Sequence, residues 1–275
     1  MEWESVTITD ADLQFLVETA AADVTDKVRL RKLIKLDEDL RNAFIEDEKT
    51  SQKLMTDQEV FLKISPRLYF EIILRKTRTE LEGASHTIER SRSKKIAVFD
   101  TKEVVELLSR QEILVYLADM LASFIKVENY TLFYPTEQGI WQKIRLSDLD
   151  IDSLIIFSES VDEESRLGFF KRIADICLFI LGLFPKYVQI TYRYPFSGQL
   201  RPQTANGFQR SPEDYEEKGR RFYQLAAEHP AARSVELSQV FNLLHEKFNT
   251  AKKPLNFIAN HYLNYRSLNL LGDKS

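Results

Sequence analysis

The sequence predicts a mainly α-helical, all-α protein, and three observations carry that prediction. Glycine and proline number only 8 each in 275 residues, too few turn-formers for a many-stranded β fold. Apolar side chains recur at three- and four-residue spacing along most of the chain. Short polar residues, twice followed by proline, stand just ahead of those apolar runs, where they satisfy the orphan amides of a first helical turn. The expected architecture is a compact assembly of about ten helices with a minor β-hairpin and one long ordered loop.

Taken in order, the first helix should begin near Thr9 or Asp10 and carry Leu13, Leu16, Val17 and Ala20 inward. Thr25 and Asp26 can cap a second, with Val28, Leu30, Leu33 and Ile34. Asp37 can start a third, with Leu40 and Phe44 facing inward. Ser65-Pro66 is a stronger start signal, since proline at the first helical position lacks an amide that would go unpaired anyway. That helix should fade near Gly83. Residues 84–95 have no apolar periodicity and read as a basic loop, followed by a short strand at Ile96 to Phe99. Asp100 with Glu103, then Ser109 with Glu112, have capping-box spacing and should open two more helices.

YTLFY and WQKIRL flank the turn-formers of PTEQG, so Tyr130 to Tyr134 should pair with Trp141 to Leu146. This hairpin, within a connector at residues 127–148, would divide a helical half 1–126 from a helical half 149–275. The two halves can share one core. Helices resume around Leu149 to Phe157. Asp162 begins a helix that becomes apolar on every side and ends at Pro185, so it belongs in the middle of a core. Residues 186–211 form a long loop, and loops of that length in compact domains are usually functional or disordered. Tyr187, Tyr192, Tyr194, Phe196 and Phe208 favour order, because disordered segments are aromatic-poor. Ser211-Pro212 repeats the serine-proline start, Ser234 should cap a further helix, and the last should run from about Pro254.

Composition narrows the function classes. With 44% hydrophobic and 29% charged residues the chain is an ordinary globular one. A net charge of -4 argues against a surface that grips nucleic acid everywhere but allows one basic patch. The single cysteine, Cys177, lies in an apolar run and reads as a buried, inert thiol. The N-terminus lacks a secretory pattern, and the longest apolar run, Ile176 to Phe184, falls short of the roughly 20 residues that span a bilayer. A soluble, cytoplasmic protein with no membrane association is expected.

No standard catalytic motif stands out. His86, His229, His245 and His261 lack a second histidine at metal-ligand spacing, so no metal site is expected, and no cofactor either. Phosphate-cradling glycine loops and the hydrolase elbow are missing.

Three constellations remain. Asp175 interrupts an apolar stretch, where a lone carboxylate is costly to bury. It calls for a partner, with Arg220 or Arg221 as candidates, and reads as a register-fixing ion pair or as a ligand-binding carboxylate. Tyr215, Arg220, Arg221 and Tyr223 share one helix, with Gly219 allowing a close approach. With Arg193, Arg201 and Arg210 they could form a mouth for an anion, since the guanidinium fork donates two parallel bonds to carboxylate or phosphate. Arg90, Arg92, Lys94 and Lys95 offer a weaker, nucleic-acid reading through residues 86–95. The leading expectation is a non-enzymatic interaction or regulatory protein presenting residues 186–211 to another protein or to a second copy. The alternative is a small anionic-ligand protein or enzyme, with a pocket between that loop and the helices carrying Asp175 and Tyr215.

Overall fold

The serine-proline and aspartate start signals translate directly into helices. The computed structural model describes residues 8–57, 59–84, 87–91, 94–98, 100–125, 129–135, 141–147, 149–185, 210–234 and 237–263. Among them are fourteen α-helices: α1 (Asp10–Ala20), α2 (Lys27–Leu36), α3 (Glu38–Glu46), α4 (Glu48–Thr56), α5 (Val60–Lys63), α6 (Pro66–Glu82), α7 (Thr101–Leu108), α8 (Gln111–Ser123), α9 (Ile151–Ser160), α10 (Arg166–Leu183), α11 (Pro212–Glu228), α12 (Pro230–Ser234), α13 (Ser238–Glu246) and α14 (Phe248–His261). Two antiparallel pairs, β1 (Thr87–Ser91) with β2 (Lys94–Val98) and β3 (Asn129–Pro135) with β4 (Trp141–Ser147), and a 3-10 turn at Glu163–Ser165, which delays to Arg166 the helix expected from Asp162, complete the described elements. Two compact units separate, one within Glu2–Ile125 and Phe257–Ser275, the other within Lys126–Asn256.

In the first unit the short polar caps do more than start helices. Asp12 is 1% exposed. Its Oδ2 accepts from the Thr9 amide at 3.0 Å, closing a capping box on α1, and its Oδ1 accepts from the Ser65 amide at 2.6 Å. One buried carboxylate thus satisfies orphan amides at the starts of α1 and α6. Helix α6 is buried around most of its circumference, through Leu68, Tyr69, Phe70, Ile72, Ile73, Leu74 and Leu81. It packs on α7 and α8, which supply Val104, Leu107, Leu108, Leu114 and Leu117. Each such side chain contributes about 1.5–3 kcal/mol on burial. A second cluster of Leu13, Val17 and Ile34 is covered by Leu30, Leu40 and Phe44.

Helix α6 also buries charge. Arg75, 3% exposed, donates to Glu46 at 2.7 Å, Glu71 at 2.8 Å and Asn42 at 2.7 Å. Burial pushes the Glu46 carboxyl up, but hydrogen bonds from Arg75 and Arg78 outweigh that and hold it below the ordinary glutamate range.

Several expectations are corrected. Helices α4 and α5 were not anticipated, because α4 buries only Thr50 and Leu54 and so shows no apolar stripe. Residues 87–91 pair with 94–98 instead of forming a loop, placing Arg90 in register with Lys95 and Ser91 with Lys94. Arg92 lies outside the described residues. Ser109 does not cap α8, since its hydroxyl donates back to the Val105 carbonyl at 2.8 Å and closes α7. Asp100 stands at the start of α7 without a side-chain cap. Ser234 ends α12, and the next helix begins at Ser238. Pro254 sits inside α14 instead of starting it. Packing overrides the proline's missing amide there, because Leu255 is fully buried against Gly182.

Candidate functional site

The second unit is built on the pairing of α10 with α11, and its glycines show how close that pairing is. A Cβ on Gly219 would lie 2.5 Å from Phe248 Cε2 and 2.9 Å from the Cβ of Cys177, so only glycine fits. At Gly182 it would lie 2.7 Å from the Leu255 side chain. The close approach read from Gly219 is therefore present, and it brings Tyr223 across to Asp175.

Asp175 and Tyr223 are both 0% exposed. The Tyr223 hydroxyl donates to Asp175 Oδ1 at 2.8 Å, and the Lys171 ammonium donates to Oδ2 at 2.6 Å. Both carboxylate oxygens are thus engaged, and the charge is balanced by a lysine one turn away on the same helix. The arginine partners expected for Asp175 are replaced: Arg220 and Arg221 are exposed on α11. The reason is geometric, since Tyr223 occupies the inward face of α11 at that level. Tyr223 also stacks on Phe241 at 6.2 Å, which fixes its ring. Cys177, two residues along α10, is also buried, and burial pushes its thiol up to about 12.

The other expected site residues are dispersed. Arg193 and Arg201 lie outside the described residues, as does most of the segment 186–211. Arg210 pairs with Asp152 of α9. Tyr215 is half-buried on α11. Arg220 offers its carbonyl to His245 Nδ1 at 2.9 Å. No described geometry gathers these arginines around one point.

Arg221 instead lines a groove of about 400 Å³ bounded by α9, α10 and α11. Its apolar part comes from Ile155, Phe170, Phe222 and Leu225. Around it stand Glu159, Asp214 and Glu217, and against them Arg166, Lys218 and Arg221. The all-round burial expected of the central helix holds only for its second half. Residues 173–178 and 181–183 are buried, whereas 166–172, including Phe169 and Phe170, are half-buried and give α10 its share of the groove.

Two members of the rim also serve the fold. Asp214 completes the capping box of α11 by accepting from the Ser211 amide at 2.9 Å, and Arg166 Nε donates to the Val161 carbonyl at 3.2 Å. Glu159, Glu217, Lys218 and Arg221 enter no ion pair of 4 Å or less among the described residues. Behind the groove, His229 is 6% exposed and packs edge-on against Phe170. Its Nδ1 accepts from the Ala231 amide at 3.2 Å, so Nε2 carries the proton toward the Glu163 carbonyl at 2.7 Å.

Sequence reasoning singled out Arg221 but not its companions. Phe170 and Phe222 carry ordinary core spacing, and the carboxylates read as a solvated face. Among the described residues no helix is long and apolar enough to cross a membrane, and no group of three His, Cys, Asp or Glu converges as a metal cluster would. Comparison with protein-family models, with curated proteins and with solved structures finds no match to this chain.

Proposed function

We propose that this is a non-enzymatic interaction protein whose docking surface is the groove bounded by α9, α10 and α11. One observation carries the reading: Glu159, Glu217, Lys218 and Arg221 surround an apolar floor without ion-pairing among the described residues. The charge buried nearby is handled differently. Asp175 is satisfied on both oxygens and belongs to the fold. A groove with an aromatic floor and both signs of charge at its edge suits a polypeptide segment with an apolar anchor flanked by acidic and basic side chains. Residues 186–211, the segment expected to meet a partner, connect α10 to α11 in sequence, so the two long helices of the groove are also those that bracket that segment.

The alternative, a small anionic ligand, has one observation in its favour. The groove's volume lies within the roughly 300–1,000 Å³ of small-ligand sites. Three carboxylates beside three cations favour the polypeptide instead, because an anion would have to enter past Glu159, Asp214 and Glu217. The test is site-specific photo-crosslinking in the source cells. A crosslinking side chain at Leu225 should give an adduct that maps to one protein segment, and Lys218→Glu with Arg221→Glu should abolish it. Adducts of equal yield from an exposed control position on α11 that does not line the groove, such as Arg220, would sink the proposal.

A further inference from the structure

We propose that the first unit carries a self-association surface, in which α2 of one copy docks on α3 of a second copy and the reverse contact closes a twofold dimer. Helix α2 reads KVRLRKLIKL, with five cations and no carboxylate in ten residues, in a chain whose net charge is -4. At 100° per residue, Val28, Arg29, Lys32, Leu33, Lys35 and Leu36 share one arc of about 160°, opposite Leu30 and Ile34. Leu30 and Ile34 point into the first unit's smaller apolar cluster. All six residues of the outer arc are exposed, including Val28 at 57%, Leu33 at 47% and Leu36 at 86%. An aliphatic face this open, interleaved only with cations, is suited to a partner that is both apolar and acidic.

The flanks decide which partner. Asp26 lies at the start of α2, and Asp37, Glu38 and Asp39 follow its end, all exposed. A flat anionic bilayer would meet these carboxylates together with the cations and be repelled at both ends. A second α2 would set cation against cation. The matching chemistry is on the next helix of the same chain. Helix α3 turns Asp39 and Ala43 outward, with Glu38 exposed at its start, and Ala43 leaves room for a leucine; Glu46 is already held by Arg75 and Arg78. Basic and acidic faces on successive, mutually packed helices are self-complementary, which is the condition a twofold interface must meet.

Sedimentation of the full chain tests this through charge exchange. The wild type should dimerise at tens of micromolar in low salt, and added salt should weaken the dimer. Arg29→Glu with Lys32→Glu should raise the dissociation constant about tenfold or more, and Glu38→Lys with Asp39→Lys should do the same. Mixed together, or combined in one chain, the two variants should regain dimerisation. A wild type that stays monomeric at about 1 mM overturns the proposal and leaves an acidic helix of another protein as the occupant. Charge variants that dimerise like the wild type, or a mixture that does not recover, overturn it equally. These outcomes do not depend on the groove of the second unit.

Discussion

At the scale of single residues, Asp175 shows how a buried carboxylate can belong to the fold. Tyr223 supplies one hydrogen bond and Lys171 the other. Tyr223→Phe removes the hydroxyl that donates to Asp175 Oδ1, so chemical denaturation should show a loss of about 1–3 kcal/mol. The need for a partner was legible from the apolar surroundings of Asp175. Lys171 was within reach of sequence reasoning too, because residues four apart share a helix face. Tyr223 was not, since it lies 48 positions away and depends on how α10 meets α11. Cys177, its thiol pushed up to about 12 by burial, should resist thiol reagents in the native protein and react only on unfolding. A rapid native reaction would show that α10 is open at that point. Glu46 links stability to pH. Its carboxyl lies below the ordinary glutamate value of 4.5, so its contribution is complete above that value and is lost as pH falls through the lower folded value. Glu46→Gln should therefore flatten the stability profile on the acid side of 4.5, as measured by denaturation across pH.

At the scale of elements, helices announced by a cap and an apolar stripe were legible. Thr9, Asp26, Asp37, Ser65 and Ser211 all accept from the first-turn amides their positions imply. Helices α4 and α5 were not legible, because they are short, mostly polar and held by neighbours rather than by their own periodicity. Pro254 misled for the complementary reason: a packed flank can carry a helix through a residue that ordinarily stops one. The capping spacing of Ser109 and Glu112 misled because a serine hydroxyl can equally bond back to the preceding turn. Element packing gives a direct test at Gly219. Gly219→Ala must displace the Phe248 ring and crowd Cys177, at a cost of about 1–3 kcal/mol despite alanine's better helix propensity. An unchanged denaturation midpoint would mean that α10 and α11 are not pressed together at this level.

At the scale of the whole molecule, charge is sorted by use. Charges that the fold buries are matched, as at Arg75 with Glu46 and Glu71, or at Asp175 with Lys171. Two other charge groupings face outward, the mixed rim of the groove in the second unit and the basic outer face of α2 in the first. The anion mouth drawn from sequence assembled arginines by their nearness along the chain, which carries no information about the carboxylates opposite. Arg210 meets Asp152, and Arg221 stands among Glu159, Asp214 and Glu217. The groove itself was invisible in sequence because its floor uses side chains, Phe170 and Phe222, that pattern like any core. Native mass spectrometry of the protein gently isolated from its source cells tests the groove as a docking surface most directly. The account predicts a bound polypeptide on the wild type that is lost from the Lys218→Glu, Arg221→Glu variant and retained by Tyr223→Phe. A retained small molecule of a few hundred daltons, or a polypeptide held equally by all three proteins, would contradict it.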